Sequence, residues 1–303
     1  MTGDEMKKAA YLAFALLGVI WGSNFIFMKW AAAAVSPSQI VLLRVAFGFL
    51  LIFLFALAKR AFRWEHLRYA HHFAVMSLLA TAVYYFAFAK GAALLPSSIA
   101  GLLSGAIPLF SFVCAWLFMS DERINLTKAV GVGLGFLGVL LIARPWSSVG
   151  AIDVLGVAYM IAGSLSVGCS FVYTRRFITP LKLPAVALAT YQTGLAMILL
   201  LLVTNLQEVG AVFQDARAWI GLVFGLGLCG TGLTYVIYCF IVEKLGAVAA
   251  ASVIYIPPVV ALLIGVFLVG DTIHPIGYAA MLLILSGVAV LQLGSRRAAV
   301  EGS

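Results

Sequence analysis

Long apolar runs broken by short polar turns make up nearly the whole chain. From Ile99 it reads IAGLLSGAIPLFSFVCAWLFMS, then DERIN, then LTKAVGVGLGFLGVLLIA to Ala143, two apolar helices around one hydrophilic turn. About 149 residues later the pattern recurs as ASVIYIPPVVALLIGVFLV, GDTIHP and IGYAAMLLILSGVAVLQL. Pro257 then stands opposite Pro108, Asp271 opposite Glu122 and Gly287 opposite Gly138. A membrane-spanning helix needs roughly 20 apolar residues. Ten segments qualify: 11–34, 37–58, 72–92, 97–119, 126–143, 152–174, 184–204, 218–242, 247–269 and 275–294, of which the fifth is the shortest. The first run is too long for the core of a cleavable signal peptide and lacks a small-residue cleavage site.

A repeat of half the chain is far longer than a solenoid unit. It predicts an all-α integral membrane protein made of two five-helix repeats, residues 1–148 and 149–303. Five is odd, so the second repeat must cross the membrane in the opposite sense. Such inverted repeats build many secondary transporters, with the substrate site near the midplane between the halves. The match extends beyond the first block. Gly-Ser-Asn-Phe at 22–25 aligns with Gly-Cys-Ser-Phe at 168–171, Lys29 with Arg175, and Pro37 with Pro184, which sets Arg44 opposite Tyr191.

Charge adds orientation. With 64% hydrophobic and 10% charged residues, the chain is no ordinary soluble domain. The net charge of +8 lacks the solvated basic domain that nucleic-acid binding requires. With an inside N-terminus and alternating spans, Lys7, Lys8, Lys59, Arg60, Arg63, Arg68, Arg123, Lys128, Arg175, Arg176, Lys182, Lys244, Arg296 and Arg297 fall on one side. Arg144 and Arg217 fall on the other, and Lys29, Arg44 and Lys90 within spans. By the positive-inside rule both termini are cytoplasmic, in a multi-pass protein of the cell's inner (plasma) membrane.

WGSNFIFMK at 21–29, Pro37 leading to LLR at 42–44, and the Pro108…Glu122 block resemble the drug/metabolite transporter superfamily, in its EamA-type branch of ten helices in two repeats. The resemblance covers nearly the whole chain. In the second repeat Asp271 replaces the usual glutamate and the Trp-Gly start is lost. Within the branch the chain looks most like YddG-like bacterial amino-acid exporters. The resemblance implies secondary transport of small metabolites, neutral and aromatic amino acids first. Because the family keeps an arginine at position 44 across diverse substrates, it also sets a structural role for Arg44 beside a binding one.

No loop is long enough for a nucleotide-binding domain, so neither ATP hydrolysis nor a cofactor is expected. Gly133-Leu-Gly135-Phe-Leu-Gly138 fits G-x-G-x-x-G but lies inside an apolar span, where it predicts close helix packing. The four cysteines fall in apolar segments, without the spacing of a disulfide framework or metal site. An integral-membrane enzyme would cluster His, Asp or Glu at a membrane face, and His71-His72 is the only adjacent pair.

Ionisable groups at membrane depth cost about 2.5–3.5 kcal/mol on insertion scales and usually face the bundle interior. Lys29 and Lys90 stand close enough to span ends to snorkel. Arg44 lies deeper, where a guanidinium can hold a carboxylate by two bonds or tie helices together. No carboxylate falls well inside a span, which favours uniport and a neutral zwitterion or anion over a cationic drug. A proton-coupled antiporter using Glu243 or Asp271 is the alternative. Trp21, Asn24, Tyr84, Tyr191 and Tyr255 near mid-depth, with Tyr85 and Phe88 in the third span and Tyr235 in the eighth, are candidates to line a substrate pocket with Arg44. Pro108, Pro257 and Pro258 remove backbone donors, predicting bent fourth and ninth helices that act as gates.

Overall fold

The computed structural model describes residues 3–120, 124–143, 152–246 and 250–301 of the 303. Glu122, Arg123, Arg144 and the boundary between 148 and 149 lie outside the described residues. Among those described there is no strand, and ten helices are long and apolar enough to cross a membrane. They are α1 (Lys8–Ala32), α2 (Pro37–Ala58), α3 (Trp64–Leu94), α4 (Ser97–Phe118), α5 (Leu126–Ala143), α6 (Val154–Leu181), α7 (Ala185–Val203), α8 (Ala216–Leu245), α9 (Ser252–Val269) and α10 (Pro275–Gly294). Each span read from the sequence has its helix.

Local chemistry sets the ends. Ser36 and Gln39 form a reciprocal capping box at the start of α2, with Pro37 in the first turn. Asp153 and Asp215 cap α6 and α8 by accepting from Gly156 and Arg217 amides. The end of α2 folds back through Arg60 N–H to Leu57 O and Ala61 N–H to Ala56 O. This is a Schellman closure, whose left-handed position normally holds glycine. Here it holds Arg60 at φ 50°, a conformation that costs an L-residue about 1 kcal/mol.

Five helices are irregular, α6 among them through its π-helical Thr174–Ile178. In α3 the backbone is π-helical over Leu78–Ala82, and in α8 over Ile220–Leu233. In α4 the helix breaks at Gly105 and Ala106 and restarts with Pro108 in its first turn. A single turn, Ser252–Tyr255, precedes a fresh start at Pro257 in α9. Both prolines thus sit where a first turn leaves their missing N–H unneeded.

Neighbour relations follow a simple scheme. α1 packs on α8 and α9, α6 on α3 and α4, α2 on α7 and α8, and α3 on α7. The first segment of α4 packs on α9, and α5 pairs with α10. Hydrophobic gain drives none of this in lipid, so small residues that let backbones approach decide it. A β-carbon on Gly131 would lie 2.6 Å from the Leu291 nitrogen, and one on Gly138 2.7 Å from the Ala280 oxygen. Gly135 meets Leu109, whereas Gly133 faces open space. Two members of the G-x-G-x-x-G string are therefore packing glycines and the third is not.

Cys114 of α4 and Cys169 of α6 bring their sulfurs to 3.4 Å as free thiols. Lys29 donates to the carbonyls of Ala93 and Leu95, so it caps the end of α3 instead of snorkelling.

Candidate functional site

Arg44 is a buried cation on α2, 5% exposed. Its Nε donates to Thr231 Oγ1 at 2.9 Å and a terminal nitrogen to Gly230 O at 3.5 Å. Thr231 in turn donates to Leu226 O, so its hydroxyl is used in both senses. These bonds engage two of the five guanidinium N–H groups. One face of the guanidinium lies over Tyr85, 3.9 Å from the ring centroid, a cation–π contact strengthened by the burial of both groups. Glycine at positions 227 and 232 makes the approach possible, since β-carbons there would strike Phe47 and Leu51 of α2.

Asn24, also 5% exposed, comes from α1 to the same stretch of α8. Its Oδ1 rests against Gly230, where any β-carbon would collide with it, and accepts no hydrogen bond. A buried acceptor left open costs about 1–3 kcal/mol. Such a group is an anomaly in a structural core and an asset in a site that takes a donor from a ligand.

Aromatic rings wall the cluster on the α3 side. Tyr84 lies edge-on to Phe88 with centroids 4.6 Å apart and 5.1 Å from Tyr85, and Phe25 of α1 approaches Phe88 at 6.1 Å. Gln192 of α7 donates to Thr81 Oγ1 at 2.9 Å and to the Tyr235 hydroxyl at 3.3 Å. Tyr235 lies within electrostatic reach of Arg44, Tyr84 and Tyr85. The structure therefore gathers Asn24, Arg44, Tyr84, Tyr85, Phe88 and Tyr235 at one place.

Three other candidates lie elsewhere. Trp21, one turn from Asn24, meets Tyr238 at 6.3 Å in a separate cluster with Leu17 and Ile241. Tyr191 stacks on Phe73 at 4.7 Å and turns edges to Phe62 and His66 beneath the α2–α3 connection. Tyr255 is bonded to Gln292 of α10. The Tyr191 placement has a geometric reason. Gln39 at the start of α2 bonds the Asn205 and Gln207 carbonyls after α7, while Lys59 and Pro184 share a cavity at the other end. The two helices are antiparallel, so equal distances from their starts put Arg44 and Tyr191 at opposite depths. Gln192, a polar residue within the seventh span, joins the cluster, as do Thr81, Gly230 and Thr231, for which the sequence offers no signal because a threonine or glycine in an apolar helix looks unremarkable until its neighbour is known.

The bundle is closed at one end and open at the other. At the closed end, Gly101 abuts Ala261 and a β-carbon on Gly105 would lie 3.1 Å from Pro258. There Asp271 Oδ2 accepts from Ser97 Oγ at 3.1 Å, Ser98 N at 3.1 Å and Ser98 Oγ at 2.8 Å. Pro257 and Pro258 are buried and Pro108 is half-buried. At the other end, a cavity of about 760 Å³ opens beside the last turns of α2 and α8 and the start of α7. Among the described residues no group of three or more His, Cys, Asp or Glu could hold a metal, and no Asp or Glu is buried.

Comparison with known proteins identifies the family and the fold. A family model described as "EamA-like transporter family" matches residues 8–144 and 154–293. An "Uncharacterized transporter" of Archaeoglobus fulgidus is 24% identical over 94% of this chain and 99% of its own length. The "Uncharacterized inner membrane transporter YedA" of Escherichia coli K12 is 24% identical over 93% of this chain and 90% of its own. A "Probable amino-acid metabolite efflux pump" of Salmonella typhimurium is 24% identical over 96% of both. A solved crystal structure superposes with a TM-score of 0.60 at 22% identity, covering 96% of this chain and 98% of the other, and so shares the fold.

Proposed function

Because the chain belongs to the EamA-like transporter family, we propose that it is a multi-pass secondary transporter of the inner membrane that moves small metabolites by alternating access. Neutral and aromatic amino acids are the first candidate substrates. The observation that carries the reading is the central cluster, where a buried acceptor without a partner stands beside an arginine with N–H groups to spare and a wall of aromatic rings. An α-carboxylate suits Arg44, an α-ammonium suits Asn24 Oδ1, and an apolar or aromatic side chain suits Tyr84, Tyr85 and Phe88. The name of the Salmonella relative points the same way.

The inverted repeat is supported by the neighbour scheme. Exchanging α1–α5 with α6–α10 turns α1–α8 into α6–α3, α1–α9 into α6–α4 and α2–α8 into α7–α3, all of them observed pairs. The pairs α2–α7, α4–α9 and α5–α10 map onto themselves. Residue contacts follow suit, since Gly22 abuts Val260 as Gly168 abuts Ser111, its counterpart one period earlier. On this reading the repeats divide near residue 148, the end rich in Lys and Arg is cytoplasmic with both termini, and the closed end faces outward. The molecule is then inward-open, and the junction of α4 with α9 around Pro108, Pro257 and Pro258 is its outer gate. No ATPase subunit is needed, and the absence of a buried Asp or Glu among the described residues favours uniport.

Purified protein in liposomes tests this directly. Radiolabelled threonine, methionine or phenylalanine is expected to cross faster than in empty vesicles, at a rate that an imposed pH gradient leaves unchanged. Failure of all three to cross refutes the amino-acid assignment, and a rate that follows the pH gradient refutes uniport.

A further inference from the structure

The cavity at the basic end has a chemical character of its own. Three cationic side chains, Lys59, Arg60 and Arg63, line it near the surface, and its walls are apolar, with Phe55, Val236 and Phe240 among them. Glu243 also lines it, but its carboxylate is held by Lys244 at 2.8 Å. The cleft exists because α8 packs closely on α2 only through its π-helical stretch, where Gly48 meets Thr231 and Gly232 meets Leu51. Past Thr234 few contacts join α8 to α2 or α7.

Two further features point to binding. Inward of the cavity, Phe55, Val186, Val236 and Cys239 pack with Ile52, Ala189 and Tyr235 around a closed neck too narrow for a water molecule. Tyr235 is bonded to Gln192 and borders the Arg44 cluster. A closed neck thus separates the cleft from the central cluster, with cationic groups on both sides of it. Second, Arg60 holds the left-handed Schellman position that glycine would relax.

Resting on the transporter reading above, we propose that this cleft is the loading vestibule and that it selects small molecules with a carboxylate on an apolar body. Attraction by Lys59, Arg60 and Arg63 gathers the carboxylate at the rim. The apolar walls take the body, and Arg44 receives the carboxylate once the neck widens. A zwitterionic amino acid qualifies through its carboxylate, and a monocarboxylate qualifies better.

The test uses full-length protein in detergent and three probes of one shape: phenylacetate, phenethyl alcohol and phenethylamine. Equilibrium dialysis is expected to rank them in that order, with the anion bound about tenfold more tightly than the alcohol and its advantage shrinking as salt is raised. Lys59→Gln with Arg63→Gln should cut the anion's advantage severalfold and leave the alcohol unchanged. Arg60→Gly should raise the unfolding temperature while weakening anion binding, opposite signs that a merely structural role for Arg60 would not give. Val236→Trp should fill the cleft and abolish binding of all three. Equal binding of the three probes, or an anion advantage the Gln variants do not reduce, overturns the proposal. So does displacement of phenylacetate by phosphatidylglycerol but not phosphatidylcholine, since the groove would then be a lipid headgroup site. If wild-type protein in liposomes moves no substrate yet binds phenylacetate in this pattern, the transporter reading fails and the binding site stands.

Discussion

Asn24 and Arg44 are both buried polar side chains on apolar helices, and their surroundings separate them. Asn24 lacks a partner for Oδ1, so Asn24→Ala removes a liability. Thermal unfolding in detergent should rise or stay level, by up to about 1 kcal/mol, while liposome transport falls at least about tenfold, roughly 1.4 kcal/mol. Normal transport by that variant would remove α1 from the pathway. Tyr85→Ala should also impair transport with folding retained. Arg44 binds Thr231 and Gly230 and stacks on Tyr85, so Arg44→Ala should cost on the order of 2–3 kcal/mol of stability. Arg44→Lys keeps the charge but loses the planar fork. Folded Arg44→Lys protein without transport assigns the guanidinium to substrate; folded and active protein assigns it to tying α2 to α8.

Among elements, two junctions differ in kind. The α5–α10 pair is held by backbone proximity at glycines, which no side chain can imitate. Gly131→Leu should force the helices apart and cost upwards of about 1–3 kcal/mol, seen as lower yield and earlier unfolding. Gly133→Leu, with nothing within 4 Å of its β-carbon, should be silent. The α4–α9 junction is closed by Asp271, one carboxylate oxygen serving three donors. Asp271→Ala strips the α4 start of its cap, worth about 1 kcal/mol, and should shift the equilibrium toward the outward-open form. A cysteine at the buried Ser104, in a background without the four native thiols, should then react faster with an impermeant maleimide from outside. Unchanged labelling would show that Asp271 is a cap and no latch.

For the whole molecule, sidedness is the decisive quantity. Reporter fusions at the two ends should both read as cytoplasmic, and opposite readings would break the inverted repeat. Periodicity and composition determined the ten helices, because burial in lipid demands long apolar runs and closed backbone hydrogen bonding. They also carry the recurring pattern on which the proposed duplication rests, and they flagged Asn24 and Arg44, since polar groups on apolar helices are conspicuous by residue type alone. Tertiary structure decided which aromatic residues share a site. Tyr84, Tyr85, Phe88 and Tyr235 come together while Trp21, Tyr191 and Tyr255 part company, although all seven looked alike along the chain. A one-dimensional pattern records how far a residue lies from its helix end but not which end is up or which neighbour it faces. In an antiparallel pair such as α2 and α7, that information exists only once the helices have packed.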